Sequence, residues 1–249
     1  MIVSTKALVL GKKNYGDSSL ICNLFSDEYG KITIIAKGAK SIKNPLGALL
    51  QPLNYIECIY YYKSSRNIQT LKEANLITKY FGIEKKYSKM KYALVIVDII
   101  NQVSYNEYPS DIIFRLTNKT LFFINNEKVD DIEILFIFFQ LQYLIYLGYS
   151  PSISICPVCN VKLNSAKFDY LMGQLTCNKC AKQSLALDEE EMDIIRYLMK
   201  THITNIIPNF LFDKNKCKKI NEFLFKFLTF HIPDIIRSKA FRGLYHNGL

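Results

Sequence analysis

A chain of 249 residues, 49% hydrophobic and 22% charged, holds enough apolar surface for one large or two to three small domains and is too apolar to be disordered. Its net charge of +10 is lopsided: residues 1–91 carry 15 Lys/Arg against 6 Asp/Glu, whereas residues 92–249 carry 17 against 16. A basic front on a nearly neutral remainder points to an anionic partner, and seven cysteines behind an opening (Met1–Lys6) that is no secretory signal point to a reducing cytoplasm.

The first 78 residues read as short strands separated by turn signals. The expected strands are Val3–Leu10, Ser18–Phe25, Lys31–Lys37, Leu53–Tyr62 and Ile68–Ala74. In the third, Ile32, Ile34 and Ala36 alternate with Lys31, Thr33 and Lys37, the period of a half-buried strand, with Ile35 interrupting the polar face. Turns are expected at Gly11–Asp17, Asp27–Gly30 and Lys63–Asn67. Between strands three and four, Gly38–Pro52 is too long for a hairpin and has room for a short helix. Five strands with an excursion after the third predict an oligonucleotide/oligosaccharide-binding (OB) barrel, with an SH3-like barrel as its competitor. Gly11-Lys12-Lys13-Asn14-Tyr15-Gly16 has the glycine spacing of a phosphate-binding loop, but Asp17 and Ser18 stand where Lys and Ser/Thr are required. The segment is therefore read as a strand-connecting turn.

From about Tyr80 the periodicity becomes helical, with helices expected over Tyr92–Val103, Asp111–Asn125 and Asp131–Leu147. The last includes most of a 16-residue stretch without charge, Ile134–Tyr149. It contains Gln140 and Gln142 and falls short of the ~20 apolar residues of a membrane span, so a buried central helix is the better reading.

Cys156-Pro-Val-Cys159 and Cys177-Asn-Lys-Cys180 follow, two C-x-x-C pairs separated by 17 residues. This spacing lets two tight turns each offer two thiolates to one tetrahedral Zn²⁺. Strand-like runs Phe168–Leu171 and Gln174–Thr176 around Met172-Gly173 predict a hairpin that folds the second pair onto the first. Four sulfur ligands fill the tetrahedron and leave no position for water or substrate, so the zinc is expected to be structural. The spacing argues against the alternative of packed or disulfide-linked cysteines.

Helices resume after the cysteines. Asp188 precedes Glu191 by three residues in a capping-box pattern, and Ile194, Ile195, Leu198, Met199 and His202 follow at helical spacing. Asp213–His231 predicts a further amphipathic helix with Ile220, Phe223, Leu224, Phe227 and Leu228 on one face. The domains expected are a barrel over 1–79, a helical domain over 80–150 and 186–249, and a zinc-binding insertion over 151–185, an α+β chain. The three histidines, His202, His231 and His246, lie in no metal or catalytic motif, and no nucleophile elbow or dinucleotide fingerprint is present. Cys22, Cys58 and Cys217 read as packing residues. An enzyme is not expected, and no catalytic residue is assigned.

Several segments together resemble the RecO family of bacterial recombination mediators. Gly16-Asp17 with Ser18–Phe25 and Glu28-Tyr29-Gly30-Lys31-Ile32 resembles the family's opening hairpin, and Ala36-Lys37-Gly38-Ala39-Lys40 its glycine between basic residues. Leu50-Gln51-Pro52-Leu53 and Leu71-Lys72-Glu73-Ala74 are similar to its fourth-strand entry and barrel end. Cys156–Cys180 resembles the zinc site of many members, and Ile236-Arg237-Ser238-Lys239-Ala240-Phe241 a basic-Ser-basic segment near the end. The resemblance implies a non-enzymatic, cytoplasmic, nucleoid-associated DNA-repair protein. It implies binding of single- and double-stranded DNA, annealing of complementary strands, and partnership with RecR and the tail of single-strand-binding protein in loading recombinase.

The residues expected to meet phosphate are Lys37, at the end of the third strand, and Lys40, with Lys12, Lys13, Lys43 and Arg66 around them in turns or the excursion. Only five of the 32 cationic residues are Arg, and Lys lacks the planar fork that reads guanine, so the surface is expected to bind without sequence preference. Tyr55, Tyr60, Tyr61 and Tyr62 are available for base stacking on the fourth strand, with burial in the barrel as the competing role. An RNA-binding or translation-associated barrel and zinc ribbon is the alternative, because phosphate contacts do not separate RNA from DNA.

Overall fold

The computed structural model describes residues 1–103, 110–126, 131–206 and 213–246. The chain divides into two compact units, Met1–Asn126 with Ser238–Phe241 and Glu127–Arg237 with Arg242–Leu249.

In the first unit five strands close a barrel: β1 (Ile2–Tyr15), β2 (Ser19–Ser26), β3 (Gly30–Ala36), β4 (Tyr55–Tyr61) and β5 (Gln69–Thr78). Their order is β1-β2-β3-β5-β4, with β4 returning to β1 and β3 running parallel to β5 at Ile34 and Ile35. This is the OB topology. Alternation sets the inside of the wall: Ile32, Ile34 and Ala36 are buried, while Lys31, Thr33 and Ile35 are half-exposed. Cys22 and Cys58 are fully buried in the barrel core, and burial pushes their thiols up to about 11 and about 12, as befits packing residues. The excursion after β3 forms a one-turn helix, α1 (Leu46–Leu49), and closes over the core with the buried Ala39 and Leu50.

The expected turn at Gly11–Asp17 is corrected. β1 continues through Gly11 to Tyr15 because an irregularity between Val9 and Gly11 bends the strand, after which Lys12 pairs with Cys22 and Tyr15 with Ser19. The reversal occurs only at Gly16, in the left-handed region at φ 56°.

The helices α2 (Phe81–Glu84), α3 (Tyr87–Val103) and α4 (Asp111–Asn125) complete the unit. Ser110 caps α4 by accepting the Ile113 N–H. α3 and α4 cover the outer face of the barrel, where Leu8, Leu10, Ile21 and Phe25 are buried although they point away from the barrel interior. Asn23 Nδ2 donates to Asn101 Oδ1 at 2.8 Å, Lys31 Nζ donates to the Asn101 carbonyl at 2.9 Å, and Phe25 packs on Phe114 at 5.7 Å. The Ser238 segment belongs to this unit too. Ser238 is fully buried, its Oγ donates to Asp98 Oδ2 at 2.7 Å, and the Ala240 N–H donates to the same oxygen at 3.2 Å.

The second unit is built around α5 (Ile132–Tyr146), buried on all sides from Ile134 to Leu144. Its glutamines are satisfied: Gln140 Nε2 donates to Asn221 Oδ1 at 2.9 Å and Gln142 Nε2 to the Leu198 carbonyl at 2.9 Å. Among the described residues no helix is long and apolar enough to cross a membrane. Around α5 stand α6 (Glu189–Lys200) and α7 (Lys214–His231), and α8 (Lys239–His246) follows near the end of the chain. The capping box at Asp188 and Glu191 is present, with donor–acceptor distances of 2.7 and 2.8 Å. His202 is a correction: α6 stops at Lys200, and His202 instead caps a short 3₁₀ turn, Ile203–Asn205. A three-stranded sheet of order β7-β6-β8 contains β6 (Ala166–Asp169), β7 (Gln174–Thr176) and a strand not expected from sequence, β8 (Ser184–Leu187).

The Ser238–Asp98 bond ties the C-terminal segment to α3. Ser238→Ala is expected to lower stability by roughly 1–3 kcal/mol, the worth of a hydrogen bond to a charged group. An unchanged urea midpoint would contradict that role.

Candidate metal centre and nucleic-acid interface

The two cysteine pairs sit on tight turns. In the first, Asn160 takes a left-handed conformation at φ 60°, its N–H donating to the Cys156 carbonyl, and Cys156 N–H donates to the Val161 carbonyl. In the second, the N–H groups of Cys180 and Ala181 both donate to the Cys177 carbonyl. The four sulfurs lie within 4.8 Å of one another, and those of Cys159 and Cys177 are 3.6 Å apart. Four sulfurs at ~2.3 Å from a tetrahedral ion are about 3.8 Å apart, so the arrangement fits a metal ion and is too open for a disulfide. Cys156, Cys159, Cys177 and Cys180 are the residues that would hold it.

Backbone N–H groups favour the thiolate form at two of the four sulfurs, Cys156 and Cys177. Burial pushes the Cys156 thiol up, but N–H groups of Cys177, Cys159 and Val158 directed at its sulfur bring it down to about 6. Burial also raises Cys177, and the N–H groups of Lys179 and Cys180 bring it below its ordinary value. Cys180 is pushed up to about 12 by its hydrogen bonds to the Cys159 and Cys177 sulfurs. Crowded sulfurs share protons until a cation takes their place.

Three residues not assigned to this centre from the sequence hold its backbone in place. Asp169, buried at the end of β6, accepts the N–H groups of Lys182 at 2.9 Å, Leu171 at 2.9 Å and Met172 at 3.1 Å. It thereby fixes both the hairpin turn and the segment after the second cysteine pair. Arg196 of α6 reaches the carbonyls of Ile153 and Leu163, which flank the first pair. His231 at the end of α7 is 2.7 Å from the Gly173 carbonyl, and Gly173 sits against the Phe230 ring where any Cβ would collide at 2.2 Å. Phe168 packs on Phe223 and Phe227 beneath the sheet.

On the barrel the structure gathers five of the six expected cationic residues. Lys12 and Lys13 stand on the β1–β2 hairpin, and Lys37 follows Ala36, which pairs with Leu20 near that hairpin's tip. Lys40 and Lys43 lie in the excursion, which is fastened to the hairpin. The Lys40 N–H donates to the Ser18 carbonyl at 2.9 Å, its Nζ to the Gly16 carbonyl at 3.2 Å, and Lys12 Nζ to the Gly47 carbonyl at 3.4 Å. All five are exposed, and Lys13, Lys37 and Lys43 have no hydrogen-bond or ion-pair partner among the described residues.

Arg66 is not with them. It is exposed in the β4–β5 loop, whose Ser64 and Asn67 share a cavity with Glu28 and Tyr29 of the β2–β3 turn, the opposite end of β2 from the lysines. The tyrosines divide: Tyr60 is core, Tyr55 packs against Phe114, Tyr62 is half-buried, and Tyr61 is the one exposed on β4.

A closed barrel of OB topology, a helical remainder and four converging thiols able to hold a metal ion define an OB-barrel protein with a candidate metal centre. Family models described as "Recombination protein O N terminal" and "Recombination protein O C terminal" match residues 1–80 and 84–240. The chain belongs to the RecO family. It is similar to proteins named DNA repair protein RecO from three bacteria. The Salinibacter ruber protein is 34% identical over 152 residues, 61% of this chain and 58% of that relative. The Exiguobacterium protein is 27% identical over 202 residues, 81% and 80% of the two chains. The Pelodictyon phaeoclathratiforme protein is 32% identical over 195 residues, 75% and 74%. This membership supports a role in DNA repair.

The Asp169 carboxyl is held below its ordinary value, first by the Lys182 N–H and further by those of Met172 and Leu171 against the opposing effect of burial. A depressed carboxyl contributes stability that is complete above its unfolded value of about 3.9 and lost as pH falls through the folded value. Asp169→Asn is therefore expected to melt below the wild type at pH 7, with the gap narrowing below about pH 4. A pH-independent gap in melting temperature would contradict this.

Proposed function

We propose that this chain is a non-enzymatic recombination mediator that binds single- and double-stranded DNA and promotes annealing of complementary strands. In this reading it acts in the cytoplasm on nucleoid DNA. It engages RecR and the tail of single-strand-binding protein and helps load recombinase onto coated strands. The observation that carries the reading, beside family membership, is the grouping of Lys12, Lys13, Lys37, Lys40 and Lys43 on one end of an OB barrel.

α3 and α4 cover the outer face of β1–β3, so phosphates follow the hairpin and excursion rather than the strand face. Lysine heads act as mobile point charges and neutralise phosphate irrespective of base. Two strands held on such a surface repel each other less, and base pairing supplies the drive for annealing. No chemical step on DNA is needed.

The metal is assigned as zinc, because four thiolates at tetrahedral spacing are its structural ligand set. Its role is to fix the two turns and the small sheet. The domains proposed are the barrel over 1–79, the helical part over 80–150 and 186–249, and the zinc-binding insertion over 151–185. Of the insertion's lysines, Lys162, Lys179 and Lys182 are exposed and Lys167 is half-buried, and together they offer a secondary DNA contact.

Cys177→Ser is expected to bind less than half the zinc of the wild type by mass spectrometry and to unfold at lower temperature; a stable, metal-free variant would contradict a structural zinc. For DNA, Lys37→Glu with Lys43→Glu is the informative pair, since neither side chain supports the fold. It is expected to weaken single-strand binding at least tenfold at low salt and to reduce the salt slope by about 1–2, with the annealing rate falling in parallel. Unchanged affinity and annealing would remove the barrel end from the interface.

A further inference from the structure

The first unit contains a cavity of about 510 Å³ that the lysine surface does not use. Its floor is apolar, formed by Val3, Ile32 and Tyr60 of the barrel wall. Its rim carries Tyr29 from the β2–β3 turn, Tyr62 after β4, and Ser64 and Asn67 from the β4–β5 loop. The volume is within the range of small-molecule sites.

The chemistry of the lining narrows the ligand. The phenols of Tyr29 and Tyr62, the Ser64 hydroxyl and the Asn67 amide make no hydrogen bond to any described residue, so four neutral polar groups converge without partners. The charges nearby oppose each other. Glu28 is acidic, the Met1 ammonium donates to the Tyr62 carbonyl at 3.2 Å, and Lys31 is committed to the Asn101 carbonyl at 2.9 Å. An anion meets Glu28, and a cation meets the Met1 ammonium and Lys31, so neither matches the site. A flat, uncharged heterocycle with an apolar face and hydrogen-bonding edges does. Gln69 keeps the rim in shape: its Oε1 accepts the Lys63 N–H at 2.9 Å, and its Nε2 donates to the Lys63 and Arg66 carbonyls. The loop is thus pre-formed, which lowers the ordering cost of binding.

We propose that this cavity receives one unstacked nucleobase of a single strand. Asn67 and Ser64 meet its edge, Tyr29 or Tyr62 meets its face, and Arg66, exposed on the same loop, contacts the phosphate of that nucleotide. The proposal rests on the DNA-binding reading above and extends it. It gives Arg66, stranded from the lysines, a role of its own. It also supplies a physical basis for preferring single strands, because a base inside a duplex is stacked and paired and cannot enter.

The test compares three probes with the full chain: a single-stranded oligonucleotide, an abasic strand of equal length, and a duplex. The wild type is expected to bind the base-bearing strand about tenfold more tightly than the abasic one, the scale of one base stacked on an aromatic ring. Tyr29→Ala with Asn67→Ala removes two exposed or half-exposed rim groups and leaves the Gln69 scaffold intact. It should bring the strand-to-abasic ratio to within about twofold while leaving duplex affinity and the melting temperature unchanged. A variant that keeps the wild-type ratio overturns the proposal. A wild type that binds base-bearing and abasic strands equally overturns it as well, yet leaves the phosphate-binding reading standing. A wild type that binds no probe overturns both.

Discussion

β1 has to satisfy two neighbours at once, and the first unit depends on how it does so. Ile2–Leu8 pairs with β4 and Ala7–Tyr15 pairs with β2, so one strand closes the barrel and removes its free edges. The bend between Val9 and Gly11 makes this double pairing possible and carries the second half of the strand, with Lys12 and Lys13, out to the barrel's end. The same strand turns Leu8 and Leu10 outward, and these must be buried. α3 and α4 supply that cover. In doing so they remove the β1–β3 outer face from use and leave the loops as the available surface.

The second unit obeys a different constraint. Its largest element, α5, is buried by ordinary packing, but the small sheet and cysteine turns have only a small core, made chiefly of Leu163, Ala166, Phe168, Leu175 and Leu187. Four thiols within 4.8 Å cannot all ionise without a counter-charge, so a cation is what converts the crowding into attraction. Asp169, Arg196 and the Gly173–His231 contact hold the backbone so that the sulfurs converge. They are the supporting shell of the centre, and their positions decide whether the four ligands meet.

Local pattern alone accounts for a good part of this architecture. Cysteine spacing locates the four candidate ligands, the alternation at Ile32, Ile34 and Ala36 locates an inner wall, and the helical period locates Asp111–Asn125 correctly. The departures from pattern have physical reasons. Gly11, Lys12, Lys13 and Asn14 have the composition of a turn, and only pairing with β2 makes them a strand. β8 is four residues long and is defined by its partner β6, not by its own pattern. His202 fits the helical period, yet Thr201 leaves the helix at ψ 162°. The bond from Asn23 to Asn101 joins residues 78 apart, so the covering of the barrel face is not legible locally. Arg66 reads as one more turn cation, and only the topology sets its loop beside the β2–β3 turn.

The central claim is that DNA lies on the loop end of the barrel. Hydrogen–deuterium exchange of the intact chain, with and without a single-stranded oligonucleotide, tests it most directly. The account predicts new protection in residues 11–19 and 37–44. Protection confined to residues 131–206, or no protection anywhere at saturating oligonucleotide, would contradict it.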